Sequence, residues 1–390
     1  MEGVKTTFLM RGFRPFFLGA AVLAILTMIA WMGSYLFHWP IRVAGISTFQ
    51  WHAHEMIFGY SMAVIAGFLL TAAQNWTGQE TLAGKGLGWL FAGWALARLL
   101  MLAGTQFILY AAIADLGFML ALCFAIARPI IKVRQKRQAP VLLILGLLSV
   151  ANIVFYLGAT GLLSQGARWG VYGGLYLILG IILFMGSRVI PFFTKGGVGH
   201  PVEIKDTPRN DIVTLILYPL FALSELFFPQ HAAGALLATG LIISNSIRVN
   251  GWHTLGIWQK PLLWGLFAAF IMINLGFLLR AMSLVTAIST FLPIHAFAVG
   301  GVGIITLSMM ARVTLGHTGR NIHQAPPIVT PVLVAMVLAT IIRVFMPLLD
   351  PAHFRLWVAV SASLWIISYA LFAGYFIPIL LKPRADGKPG

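Results

Sequence analysis

Apolar residues fill this chain in long runs broken by short polar connectors. The runs fall at 16–37, 52–73, 87–104, 107–127, 141–158, 169–190, 212–228, 232–247, 262–281, 292–311, 329–348 and 354–381. An α-helix needs about 20 apolar residues to cross the hydrocarbon of a bilayer. Only helices or closed barrels satisfy their backbone groups there, and runs this long are helical. The pattern therefore predicts an all-α polytopic membrane protein of about twelve transmembrane helices. It forms one transmembrane domain over 1–390, with 16–381 embedded and 1–15 and 382–390 as short cytoplasmic termini.

Composition agrees: 59% of residues are hydrophobic and 9% charged, against roughly 25% charged in a soluble domain. No cleavable signal peptide is expected, because Arg11 and Arg14 precede the first run but no small-residue cleavage site closes it. Cys123 is the single cysteine, so one chain forms no disulfide and no thiolate cluster.

The net charge of +16 is topological. Of the 26 Lys and Arg, only Arg42, Arg168, Arg280 and Arg355 fall on outer segments if the N-terminus is inside. Arg98 and Arg343 lie within spans, and the other 20, Lys5 included, fall on inner segments. That bias predicts both termini in the cytoplasm. The basic run Lys132–Arg137 then touches anionic membrane lipid rather than nucleic acid.

The runs also hint at repetition. At an offset of 241, His54 falls on His295, Gly59 on Gly300 and Thr77-Gly78 on Thr318-Gly319. At an offset of 124, Arg188-Val189 falls on Arg312-Val313 and Thr194 on Thr318. Spans two, six and ten are four helices apart. Three four-helix units about a pseudo-threefold axis are the arrangement this suggests.

Ionisable groups inside a bilayer cost several kcal/mol and mark function by default. Trp51-His52-Ala53-His54-Glu55-Met56 places three of them at the mouth of the second span. His54 and His295 come from separate helices at one depth, so they are the candidate axial ligands of a haem. The plain alternative is two interfacial histidines bonded to water or backbone. At about 100° per residue, His52, Glu55 and Met56 share a face that His54 does not. They are the candidate ligands of a second metal on the outer side, copper suiting imidazole with thioether. Otherwise Glu55 caps the helix and His52 is solvated. On the inner side, His253, His317 and His323 are candidates for a second metal. Arg188, Arg312 and Arg320 are candidate contacts to an anion or to propionates. The alternative is cytoplasmic loops that obey the charge rule. No phosphate-binding loop, dinucleotide fingerprint or nucleophile elbow occurs in the sequence.

Several blocks, Arg11–Phe17, Trp51–Met56, Gln74–Gly78, Ser187–Phe193 and Met309–Arg320, resemble the NnrS family. The resemblance runs from near Arg11 to about His323. It implies a bacterial inner-membrane protein that carries haem and copper and is linked to nitric oxide, in denitrification or nitrosative-stress tolerance. A more distant likeness is to the catalytic subunits of haem–copper oxidases and nitric oxide reductases, whose metal-binding histidines lie on the second, sixth and tenth spans. Here the sixth span offers Tyr172 and Tyr176 but no histidine, which argues against an oxidase-type binuclear centre.

The first reading is thus a haem- and copper-binding membrane protein of the nitric oxide response, with nitric oxide as a ligand and the redox partner open. The alternatives are a transporter for a metal or small molecule with histidines along its path, and an assembly or sensory subunit without chemistry.

Overall fold

Each apolar run becomes a helix in the computed structural model, which describes residues 7–41, 46–205 and 207–388. Among these, the twelve long helices are α1 (Phe13–Phe37), α2 (Thr48–Thr77), α3 (Gly84–Leu102), α4 (Ile108–Lys132), α5 (Ala139–Ala159) and α6 (Gly166–Gly197), followed by α7 (Pro208–Phe227), α8 (Ala232–Trp252), α9 (Pro261–Met282), α10 (Phe291–His317), α11 (Val329–Leu349) and α12 (Phe354–Leu381). Eleven are long and apolar enough to cross a membrane; α3, with Lys85 and Arg98 in its 19 residues, is the exception. The chain is a multi-pass membrane protein. Lys5 and Arg42, assigned above to opposite sides, lie outside the described residues.

The burial pattern is that of a protein solvated by lipid. On α4, Ile113 and Phe124 are 71% and 70% exposed, while Asp115 is 0% exposed. A soluble helix would reverse this, since water favours the carboxylate and hydrocarbon favours the apolar side chains.

The residues form two compact units. The first comprises Met1–Leu177, Arg312–Arg320 and Tyr369–Gly390; the second comprises Ile178–Ala311 and Asn321–Ser368. In the first unit, small residues let helices approach. A Cβ on Gly166 would stand 2.6 Å from the Gly158 amide nitrogen, and one on Gly170 would stand 2.6 Å from the Phe155 backbone. Helices α5 and α6 therefore touch main chain to main chain, the usual use of glycine where no water drives association.

Local signals set the ends of α2. Ser47 accepts from the Gln50 amide at 3.2 Å while Gln50 Oε1 accepts from the Ser47 amide at 2.8 Å, a complete capping box. At the other end Gly78 adopts φ 64°, and its N–H bonds to Gln74 at 2.9 Å.

Two helices are not regular. Within α2, Glu55–Ser61 is π-helical; within α10, Ala296–Gly303 is π-helical. Each segment begins one residue after a candidate histidine, His54 or His295. Each also contains one of the paired glycines, Gly59 or Gly300, where a Cβ would meet neighbours at 2.9 Å or 2.5 Å. The offset that pairs His54 with His295 thus coincides with a rare backbone form, one that concentrates at functional sites. Ser61 Oγ donates to the Met56 carbonyl, five residues back, at 2.7 Å, satisfying a group the wider turn displaces. No π segment occurs in α6, the helix without a histidine.

Candidate functional site

The first unit buries a charge network between α2, α3, α4 and α5. His54 and Asp115 are 0% exposed, Glu55 2% and Arg98 4%. Arg98 Nη1 donates to Glu55 Oε1 at 3.0 Å, and its Nη2 forms an ion pair with Asp115 Oδ2 at 2.5 Å. A single guanidinium thus spans two carboxylates, which its planar fork suits better than a lysine ammonium would. Asp115 Oδ2 also accepts from Tyr156 Oη and Asn152 Nδ2, each at 3.1 Å.

His54 sits between the two acids. Its Nδ1 lies 3.1 Å from Glu55 Oε1 and its Nε2 lies 3.1 Å from Asn152 Oδ1. The Asn152 amide is oriented by its NH2, which faces the acceptors Asp115 and Met119. Its oxygen therefore faces His54, and both imidazole nitrogens lie against oxygen atoms. Phe155 stacks on the ring at 4.1 Å and closes it off further.

Sequence reasoning noticed Glu55 and the intramembrane Arg98 but missed Asp115, Asn152 and Tyr156. The signal was present. The chain has only 10 acidic residues, and Asp115 lies within an apolar run beside the run that holds Arg98.

The face expected to join His52, Glu55 and Met56 does not form as drawn. Glu55 turns to His54 and Arg98, whereas His52 packs on Trp31 with ring centroids 4.7 Å apart. The reason is twofold: the π turn that begins at Glu55 breaks the 100° advance, and the guanidinium draws the carboxylate. Met56 stays half-buried.

In the second unit, His295 lies beside Arg343 of α11. Arg343 Nη2 approaches His295 Nε2 at 3.2 Å, and His295 Nδ1 approaches the Phe291 carbonyl at 2.6 Å. Arginine only donates and a carbonyl only accepts, so Nδ1 faces an acceptor and Nε2 a donor. Arg98 and Arg343 are each the fifteenth residue of the helix that follows a π segment, another parallel between the two regions.

The remaining candidates are dispersed. In the second unit, His253 Nε2 accepts from Trp258 Nε1 at 3.0 Å, and the His323 carbonyl accepts from Lys260 at 3.3 Å. In the first unit, the His317 ring lies 5.7 Å from Phe13. Among the described residues no three His, Cys, Asp or Glu side chains converge as a metal-ligand group. Arg188 stacks over Phe184 at 4.0 Å, Arg312 is buried, and Arg320 Nη1 donates to the Thr318 carbonyl at 3.2 Å.

Two arginines assigned above to inner and outer segments are paired with acids inside the second unit. Arg248 pairs with Asp211 at 2.6 Å, and Arg280 pairs with Glu225 at 2.8 Å. Both guanidinium groups are buried, so each neutralises an acid within its unit. The charge bias that remains still has no side assigned to it.

A family model described as NnrS protein covers residues 7–384, nearly the whole chain. No curated protein matches it.

Proposed function

Because this chain belongs to the NnrS family, we propose that it is a haem- and copper-binding membrane protein of the nitric oxide response. Membership supports a nitric-oxide-related membrane protein at the level of the family; the cofactors and their ligands are our own reading. The observation that carries it is the π-helical segment opening directly after each candidate histidine, His54 and His295.

His295 fits a metal ligand once Arg343 yields its place. Its Nδ1–H is anchored on a main-chain carbonyl, the usual way a ligating imidazole is oriented, and its Nε2 would take a metal in place of Arg343 Nη2. His54 fits only when released from Asn152, because in the present arrangement both ring nitrogens are occupied by Glu55 and Asn152. His52 with Met56, one turn apart, is a donor pair of the kind copper accepts. Glu55 is withdrawn from that set by Arg98. When bound, a haem would supply an iron able to take nitric oxide. Arg98, Asp115 and Asn152 hold the buried charge of the second helix in balance.

An absorption spectrum with metal analysis of the purified protein tests this reading. A Soret band and bound copper are expected. His295→Ala should abolish or shift the band. His52→Ala should keep the band and lower the copper content. Well-folded protein without iron or copper would refute the proposal and favour a transporter with buried charges along its path.

A further inference from the structure

A second polar cluster lies in the first unit, where α1 begins and α12 finishes. Arg14 is 0% exposed although it sits in the opening turn of α1. Its Nη1 donates to the carbonyls of Leu380 and Lys382, both at 2.7 Å. Its Nε and Nη2 are buried with no hydrogen-bond partner among the described residues. The charges bearing on it are Arg320, Arg384 and Arg11, all of its own sign.

The neighbours are held in place by other contacts. Arg11 Nη1 donates to Gln74 Oε1 at 2.9 Å. Arg384 Nη1 donates to the His317 carbonyl at 3.1 Å, and its remaining nitrogens clasp Asp386. The Ala385 amide bonds to the Thr318 carbonyl at 2.9 Å, bringing the tail beside Arg320. A Cβ on Gly319 would stand 2.6 Å from the Asp386 carboxyl carbon, so glycine there lets the tail close.

Among the described residues the charges do not balance. Four guanidinium groups gather here; Asp386 is spent on Arg384, and exposed Glu80 acts only on Arg11. Burial and Arg384 together hold Arg11 below the usual arginine range. An unpaired buried cation costs several kcal/mol, and donors left unsatisfied inside a protein call for a partner. Loop charges that only set topology stay in water and need none. Arg14 is not in water.

We propose that this end of the first unit binds an oxyanion of the phosphate class through Arg14, Arg11 and Arg320. Arginine forks match phosphate oxygens in pairs. The same chemistry comes from an anionic lipid headgroup or from free phosphate.

Thermal unfolding of the full chain in detergent, followed by tryptophan fluorescence, reads the binding, because a ligand of the folded state raises the midpoint. The probes are phosphatidylglycerol against phosphatidylcholine, and inorganic phosphate against chloride at equal ionic strength. Stabilisation by phosphatidylglycerol alone identifies a headgroup site; stabilisation by phosphate as well identifies a site open to the free anion. Arg11→Gln and Arg320→Gln, both at partly exposed positions, should fold and raise the concentration for half-stabilisation about tenfold, the effect of losing one charge-assisted hydrogen bond. Arg355→Gln, on α12 in the second unit, should leave it unchanged. Equal effects of the paired probes on wild type would overturn the proposal, as would equal shifts in all three variants. Arg14→Gln adds to the test only if its spectrum shows it folded.

Discussion

Replacing Arg98 by methionine removes the one cation that spans Glu55 and Asp115. Methionine fills similar volume, so the change is electrostatic rather than a cavity. The side chain is 4% exposed and both carboxylates are at most 2% exposed, so water cannot take over. Removing one partner of a buried pair costs about 3–5 kcal/mol, because the other charge stays behind uncompensated. Two acids share this cation, which places the loss at the upper end of that range. A hydrogen bond to a charged group is worth about 1.5–3 kcal/mol. Asn152→Ala, which removes the one to Asp115, should therefore cost less than Arg98→Met. Arg98→Lys should recover only part of the loss, since an ammonium cannot fork to both acids. Reversible unfolding in mixed micelles measures all three. A loss below about 1 kcal/mol for Arg98→Met in correctly inserted protein would refute the view that this arginine holds the network.

Other consequences follow from the same structure. Gly158→Leu should prevent α5 and α6 from touching and leave little folded protein in size-exclusion profiles, whereas Gly146→Leu, which meets nothing within 4 Å, should behave as wild type. The hydrogen bonds from Arg384 hold the Asp386 carboxyl well below the usual carboxylate range. Its contribution is present above the ordinary aspartate value of about 4 and fades only as pH falls through the lower folded value. Limited proteolysis should find the tail after Lys382 as protected at pH 5 as at pH 7, and released by Asp386→Asn at both. Reporter fusions at Lys388 and in the loop near Arg42 should report opposite sides of the membrane; a shared side would remove the orientation read from the charge bias.

Helix number and type were legible because hydrocarbon imposes one rule on every span: about 20 apolar residues with their backbone bonds closed internally. Membership in the family was legible for a related reason, since its motifs are continuous blocks such as Arg11–Phe17 and Trp51–Met56. The tie between His54 and His295 was visible as an offset. What that offset meant needed coordinates, because a π turn depends on neighbours that stabilise it: the Trp94 indole donating to the Gly59 carbonyl at 2.9 Å, or Met272 and Thr340 crowding Gly300. The partners of the charges were also decided in three dimensions. Glu55 follows Arg98 rather than the regular helical face that sequence spacing gave it, since an ion pair in a low dielectric outweighs a rotation of part of a turn. Arg14 reads in sequence as a cytoplasmic flanking charge. Only the return of α12 over it, contributing the carbonyls of Leu380 and Lys382 from more than 360 residues away, makes it a buried cation with donors to spare.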